Sequence, residues 1–260
     1  ADKSFDNDTI YIEKYLQNPK HIEIQIIGDN FGNMIHLGER DCSMQRRNQK
    51  LLEETPSKVI NEKIRKYIGD LTVKALCKIG YTGVGTIEYL YENDKFYFME
   101  MNTRLQVEHP VTEEITNFDL VKEQILVASN HKLLKKQSDI KFFGHSIECR
   151  INAEDPKSFV PSPGKIENFH TPGGPGVRVD SGCYSGITIP PFYDSMIAKL
   201  IVFGDSRDSC LARLERALGE FVIEGIKTTI PFYLEIIKEK EFLNGTYDIH
   251  WVENQMKDKK

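Results

Sequence analysis

Between Phe96 and Val111 the chain reads FYFMEMNTRLQVEHPV, which sets two glutamates, an amide, an arginine and a histidine directly after a strand-like run. Period-two alternation places Phe96, Phe98, Glu100 and Asn102 on one face and Tyr97, Met99 and Met101 on the other. Upstream, GVGTIEYL (Gly83 to Leu90) alternates too, and YENDK between the runs carries turn residues, so the spacing predicts a β-hairpin. A three-residue turn sets Glu88 directly opposite Glu100. Opposed like charges cost roughly 0.2–1 kcal/mol, and more once they lose water, unless a cation sits between them. Magnesium prefers oxygen ligands, usually one or two carboxylates completed by water and phosphates, and Glu88, Glu100 and the Asn102 amide oxygen meet that preference. A register shifted by one residue would instead leave Glu88 on a solvated edge and pair Glu100 with Arg104.

Other residues allow two readings each. Glu108, beside His109 and near Arg104, has the chemistry of a general base, or of a surface ion pair worth under about 1 kcal/mol. Arg40, Arg46, Arg47 and Lys50 form a cation run that fits an anion or, more commonly, a solvated face. Arg150, flanked by Glu148 and Asn152, suits a structural ion pair or a catalytic cation. His21 and His109 lack partners at metal-binding spacing. The glycines of HTPGGPGV are not a phosphate loop, because no GK[ST] and no helix follow.

The elements that must position these groups follow from periodicity. HIEIQII (His21 to Ile27), GDNFGN and MIHLGE predict a first hairpin. A helix from about Asn61 to Ile79 carries Ile64, Ile68, Leu71, Ala75 and Ile79 as its apolar stripe, with Asn61 as cap and Gly80 at a left-handed terminus. A second helix is expected around Asp119 to Ser129, with Leu120, Gln124, Ile125 and Ala128 on adjoining faces, then a polar connector from Asn130 to Lys141. Beyond it the texture turns to short strands broken by Pro and Gly. HSIECRINAED sets Ser146, Glu148, Arg150 and Asn152 against Ile147, Cys149 and Ile151; PKSFVPSPGK and HTPGGPGV are loops, and MIAKLIVF is a buried strand. Two closing helices are expected, from about Ser206 to Val222 with Leu211, Leu214, Leu218 and Phe221 inward, and from about Thr229 to Lys238. The lysine-rich last residues are expected to fray.

The 260 residues suffice for one large domain or two smaller ones. A net charge of −5 and a pI near 5.9 argue against nucleic acid as the main partner. No apolar run approaches membrane-helix length and no signal-peptide pattern opens the chain. Five cysteines without CxxC spacing suit reduced thiols, and a cytoplasmic location is expected.

EKYL (Glu13 to Leu16), HIEIQ (His21 to Gln25), ERDCSMQRRNQK (Glu39 to Lys50), EMNTRLQVEHPVTE (Glu100 to Glu113) and ECRINAEDP (Glu148 to Pro156) closely resemble biotin carboxylase, the ATP-grasp component of biotin-dependent carboxylases. SPGKI and PPFYDSMIAKLIV continue the match, which runs in order from about residue 9. The resemblance implies an α/β (α+β) fold: the C-terminal half of an ATP-grasp domain (1–141), with an antiparallel sheet and helices, then a β-rich C-terminal subdomain (142–260) with two closing helices. It implies that Glu88, Glu100 and Asn102 hold Mg2+ or Mn2+ bridging ATP phosphates. Glu13, Lys14, Tyr15 and Leu16 would lie along the adenine, with His21, Gln45 and Leu90 completing the nucleotide pocket. Lys50, Arg104, Gln106 and Val107 match the bicarbonate site, Glu108 the general base, and Arg150 the cation that stabilises biotin's enolate.

The implied reaction carboxylates biotin on its carrier protein through carboxyphosphate, ahead of carboxyltransferase subunits, in a homodimer of the kind used for acetyl-CoA carboxylation in fatty acid synthesis. Propionyl-CoA or other acyl-CoA carboxylases run the same half-reaction, and a non-catalytic subunit-assembly module is a reading of a different class. Two departures stand out. Asn48 occupies a position where many members have histidine; its amide still donates one hydrogen bond to a ribose or phosphate oxygen. Nothing here matches the family's N-terminal domain or glycine-rich lid, so a C-terminal piece, inactive alone, is expected.

Overall fold

The computed structural model describes residues 9, 10 and 12–258. Its frame is an eight-stranded antiparallel sheet. The strands are β1 (Lys20–Gly28), β2 (Met34–Arg46), β3 (Gln49–Thr55), β4 (Gly83–Glu92), β5 (Lys95–Asn102), β6 (His145–Asn152), β7 (Gly164–Lys165), β8 (Asn168–His170), β9 (Val177–Ser181), β10 (Thr188–Ile189), β11 (Met196–Gly204) and β12 (Val222–Glu224). The large sheet runs β5-β4-β1-β2-β3-β6-β11-β9, while β10 pairs β7 and β12 pairs β8. Pairing of β3 with β6, from Leu52 opposite Cys149 to Thr55 opposite Ser146, carries one sheet across the polar connector. The mixed α/β class with an antiparallel sheet therefore stands, and the two sequence textures meet in shared hydrogen bonding.

Helix α1 (Glu62–Ile79) begins where Asn61 Oδ1 accepts from the Ile64 N–H at 2.9 Å, and it ends at Gly80, whose φ of 68° is left-handed. Its buried stripe is Ile68, Gly69, Thr72 and Leu76. Leu71, Ala75 and Ile79 face outward, which corrects the expected stripe: Gly69 lets the helix approach the His36 ring, and that contact rotates the helix away from its most apolar line. α2 (His109–Thr116) was not anticipated, because HPVTEEIT carries two β-branched threonines and a valine; Pro110 in its first turn starts it. α3 (Leu120–Ala128) is capped by Asp119, and Ile125 is exposed while Leu120 and Val127 are buried.

Four helices close the chain where two were expected: α4 (Arg207–Glu220), α5 (Ile230–Ile236), α6 (Lys240–Asn244) and α7 (Trp251–Asp258). The short α6 escapes periodicity, and α7 lies in the lysine-rich tail expected to fray, its last two residues lying outside the described ones. The main core packs Leu52, Ile147, Cys149, Ile151, Leu200 and Val202 of the sheet against Cys210, Leu214, Leu218 and Tyr233 of α4 and α5. No described helix is long and apolar enough to cross a membrane.

Glu54 ties these layers together. Fully buried, it accepts from His145 Nε2 (2.8 Å), Arg207 Nε (2.8 Å) and the Tyr247 hydroxyl (2.7 Å). Burial alone would push its carboxyl up, but His145 and Arg207 outweigh burial and hold it below the usual carboxylate range. We predict that Glu54→Ala lowers unfolding free energy by about 3–5 kcal/mol, because the Arg207 guanidinium loses its buried anion and His145 and Tyr247 lose their acceptor. The lowered group contributes stability above its unfolded-state value, and that contribution fades as pH falls through the folded one. Urea titrations should therefore show the difference between variant and parent narrowing in acid.

Candidate active site

The expected metal hairpin forms, by a different route. Glu92 pairs with Lys95 across a two-residue turn in which Asn93 and Asp94 have φ of 51° and 59°, and an extra residue in β5 then shifts the register between Tyr89–Phe98 and Glu88–Glu100. Glu88 and Glu100 are directly opposed, but the bulge at Met99 breaks the alternation. Phe96 packs with Met101 in the core beside Tyr89, while Met99, Glu100 and Asn102 line a cleft. The expected grouping of Phe96 and Phe98 with Glu100 and Asn102 is thus corrected, and Glu100 does not pair with Arg104 among the described ion pairs.

The cleft, about 670 Å³, is lined by His21, Gln45, Asn48, Lys50, Glu88, Leu90, Glu100, Asn102, Arg104, Gln106, Val107, Glu108 and Arg150. These groups arrive on β1 to β6 and on the loop joining β5 to α2. A second slip, at Leu51 between the pairs Gln45–Lys50 and Met44–Leu52, buries Leu51 and Leu52 together in the core and turns Lys50 toward the cleft. Arg47 and Asn48 form the tight β2–β3 turn with φ of 50° and 62°, a conformation asparagine tolerates better than most residues.

Lys50 Nζ donates to Glu23 Oε2 (2.7 Å), Glu88 Oε1 (3.0 Å) and Glu108 Oε1 (2.6 Å). Arg150 donates through Nε to Glu53 Oε1 (2.7 Å) and through Nη2 to Glu108 Oε2 (3.0 Å). Each oxygen of Glu108 therefore meets a cation. Burial disfavours charge on Lys50 and Arg150, yet the surrounding carboxylates, Glu23 and Glu53 foremost, raise both above their ordinary values. Glu88 is lowered to about 2: burial opposes this, and His21 and Lys50 outweigh it.

Beneath the cleft lies Arg40, fully buried and so not a member of a solvated cation run. Its guanidinium donates to Glu23, Gln25 Oε1 (2.6 Å), Thr112 Oγ1 (3.0 Å), Thr86 Oγ1 (3.3 Å) and Gln106 Oε1 (2.9 Å). Gln106 in turn donates Nε2 to Glu88 Oε1 at 2.7 Å. Arg46 stacks on Phe159 instead of facing an anion.

The oxygen-rich side fits a divalent cation. Glu100 is exposed to the cleft, and its described donor is Asn102 Nδ2 at 3.3 Å, an amide that also donates to Glu88 at 2.9 Å. Glu100, opposite Glu88 with only that weak donor, gains more from a cation ligated by both carboxylates, once the Asn102 oxygen turns inward. His21 Nε2 lies 2.8 Å from Glu88 Oε2 without the alignment of a hydrogen bond.

Not every expected residue enters the cleft. Glu13, Lys14 and Tyr15 are exposed and Leu16 is buried; Lys14 Nζ donates to the Tyr97 hydroxyl at 2.9 Å, alongside β5 and outside the cleft lining. Sequence reasoning missed Glu23, Glu53 and Lys199, whose Nζ donates to Val107 O at 2.7 Å, and placed Arg40 only in a cation run. The available signal was HIEIQ, where His21, Glu23 and Gln25 alternate with isoleucines on a strand buried on both faces.

Residues 1–136 match the family model described as carbamoyl-phosphate synthase L chain, ATP binding domain, and residues 148–254 match the biotin carboxylase C-terminal domain. Biotin carboxylase 1 of Bacillus subtilis is 57% identical over 256 residues, which are 97% of this chain and 57% of that protein. A solved biotin carboxylase in complex with β,γ-ATP, from Campylobacter jejuni, is 49% identical with a TM-score of 0.93, covering 97% of this chain and 57% of that one. The biotin carboxylase domain dimer of Hydrogenobacter thermophilus 2-oxoglutarate carboxylase, solved with MgADP, ADP and bicarbonate, is 52% identical with a TM-score of 0.92, covering 94% and 54%. The chain thus spans a little over half the length of these relatives.

Arg40 generates a prediction of its own. Lysine keeps the charge but cannot reach five acceptors in a plane, so Arg40→Lys should cost about 3–5 kcal/mol of stability through stranded buried groups. Chemical denaturation at neutral pH checks this, with Arg46→Lys, at the stacked site, as the milder control.

Proposed function

This chain belongs to the biotin carboxylase family, and from that premise we propose that its cleft carries out the bicarbonate and biotin chemistry of ATP-dependent biotin carboxylation. The observation that carries the proposal is Glu108, whose two oxygens are held by Lys50 and Arg150 at the edge of a cleft that also presents Arg104.

The residues divide the work by chemistry. Bicarbonate is an anion and a weak nucleophile until it loses its proton. Lys50 and Arg104 supply the positive charge that draws it in, and a guanidinium grips a planar carboxylate-like anion through two parallel bonds. Glu108, oriented by the cations on both of its oxygens, takes the proton as general base. Gln106 and the Val107 backbone bound the same corner; Lys199 fixes Val107 by its carbonyl. Glu88, Glu100 and Asn102 would hold Mg2+ or Mn2+, which when bound offsets charge on the transferring phosphoryl group. His21, Gln45, Asn48 and Leu90 flank the nucleotide side, with the Glu13–Leu16 segment near the adenine. Arg150, part-buried in the cleft lining, would stabilise the oxyanion of biotin's ureido group after carboxyphosphate breaks down.

The substrate would be biotin on its carrier protein, in the cytoplasm, where five free thiols persist reduced, with the carboxyl group passing to carboxyltransferase subunits. A homodimer is proposed on the analogy of the Hydrogenobacter thermophilus domain dimer. Acetyl-CoA carboxylase of fatty acid synthesis is the parent we favour; a propionyl-CoA or other carboxylase is the second reading, supported by that relative's being a 2-oxoglutarate carboxylase. A pure assembly module has no physical use for opposed carboxylates around a buried lysine. Residues 1–141 and 142–260 would act as two parts of this unit.

Three outcomes are expected. Glu108→Gln in the full-length gene product should lower kcat for bicarbonate-dependent ATP hydrolysis by roughly 10²–10⁴ with free biotin and Mg2+. Loss of less than a few-fold would remove Glu108 from the base role. Glu100→Gln should weaken Mn2+ binding to the chain by roughly 10–100-fold, read by electron paramagnetic resonance without turnover. Residues 1–260 alone should fail to sustain turnover that the full-length product shows, because carboxyphosphate needs protection from water; comparable rates would overturn this.

A further inference from the structure

Behind Arg150 lies a second pair of acids that the proposed chemistry does not use. Glu53 on β3 and Glu148 on β6 are register partners, directly opposite each other in the antiparallel ladder, and both are fully buried. Directly opposed residues share a face of the sheet. Glu53 Oε1 accepts from Arg150 Nε, whereas Glu53 Oε2 and both oxygens of Glu148 have no hydrogen-bond partner. Three orphan carboxyl oxygens in one buried spot are a costly arrangement if both groups are anions.

We propose that Glu53 and Glu148 hold one proton between them, Glu148 as the acid and Glu53 as the carboxylate, and that this proton frees Glu53 to orient Arg150 against Glu108. The link to Glu108 rests on the function proposed above; the shared proton does not. A protonated Glu148 is a donor, and the unpartnered Glu53 Oε2 on the opposite strand is the acceptor it needs. Among the described residues no cation is free to do the same work. Lys199 Nζ is 3.9 Å from Glu148 Oε2 but is committed to Val107 O at 2.7 Å, and it also faces Asp180 at 3.7 Å. Arg150 is divided between Glu53 and Glu108.

The titratable surroundings point the same way. β3 contributes Lys50, β6 Arg150 and Cys149, β11 Lys199, the start of α2 Glu108, and α5 the Tyr233 hydroxyl, which donates to the backbone oxygens of Leu51 and Arg150. Burial first, and then the neighbouring Glu53 charge, push Glu148 well above the carboxylate range. Burial and Glu108 push Glu53 up to about 7, with Arg150 opposing them. Both shifts are upward, so the pair favours the folded state at low pH and loses that contribution as pH rises through the raised values. Glu53 and Glu148 are positioning residues: they act on the reaction through Arg150.

The test is infrared difference spectroscopy of the 260-residue protein near neutrality, reading the carbonyl stretch of a protonated carboxyl shielded from exchange. Wild type should show the band and Glu148→Gln should lack it. A wild-type spectrum without such a band, or a band that survives Glu148→Gln, overturns the proposal. Titrating the wild-type band upward in pH decides the matter even if the variant misfolds: loss of the band within the ordinary carboxylate range sinks it, and persistence past neutrality supports it. A second reading uses unfolding free energy: Glu148→Gln should gain steadily on wild type as pH rises above the ordinary carboxylate range, since glutamine has no proton to lose. In the full-length protein, Glu53→Gln should lower kcat by roughly tenfold or more and shift its pH profile, with KM for ATP little changed. A band with no activity in any form would overturn the functional reading and leave the shared proton standing.

Discussion

One ammonium group holds the cleft together. Lys50 Nζ lies within 3.0 Å of carboxylates from β1, β4 and the start of α2, and it is the one cation that meets Glu23, Glu88 and Glu108 together; without it the three would repel one another with only Arg40 and Arg150 to offset Glu23 and Glu108. A lysine suits this place because its three donors rotate on a compact charge and can meet three acceptors arriving from different directions. The neighbouring Arg40 does the complementary task with a planar fork, tying Glu23, Gln25 and Gln106 into a rigid floor. Because Gln106 also donates to Glu88, the Glu88–Glu100 side and the Glu108 side of the cleft share one hydrogen-bonded network. A displacement on one side is therefore felt on the other.

Two single-residue bulges decide which side chains join that network. An antiparallel strand presents alternate residues to each face, so an unbroken β5 could not place Phe96 with Met101 in the core and Met99 with Glu100 in the cleft. The slip at Met99 does so, and the slip at Leu51 does the same for β3, placing consecutive leucines in the core and Lys50 in the cleft. Bulges cost paired hydrogen bonds and bend the strand. Both fall beside the residues that carry the chemistry, where re-aiming a side chain has the most effect.

This explains what the sequence allowed and what it concealed. The hairpins, the α1 caps at Asn61 and Gly80, and the opposition of Glu88 and Glu100 were legible, because turn chemistry and capping are local. The faces of β5 were misassigned, since nothing local marks Met99 as the extra residue. Arg40 read more readily as part of a solvated cation run, Glu148 only as a flank of Arg150, and Glu53 drew no reading, because burial on both faces of a sheet depends on what packs against it, and those helices come from elsewhere in the chain. The helix α2 was hidden by its β-branched residues, which tertiary packing against β6 and β11 tolerates. Charged residues inside a two-sided sheet leave one weak trace, polar alternation among isoleucines, as in His21, Glu23 and Gln25.

Charge accounting connects the cleft with what lies behind it. Along its walls and floor, Glu23, Glu88, Glu100 and Glu108 face Arg40, Lys50, Arg104 and Arg150, so the protein's own charges balance before any ligand enters. The several charges of a polyphosphate would then need positive charge beyond what Lys50 and Arg104 offer a single small anion, which is the physical reason for oxygen ligands suited to a divalent cation at the Glu88–Glu100 side. The same reasoning bears on Glu53 and Glu148. With one proton between them they carry a single negative charge, on Glu53, which Arg150 meets directly; fully ionised, they would add a second buried anion directly behind Arg150. That anion would compete with Glu108 for the guanidinium and repel the ligand the cleft is built to draw in. Keeping the pair partly protonated is thus the condition under which Arg150 can be structural toward Glu53 and still available to an oxyanion in front of it.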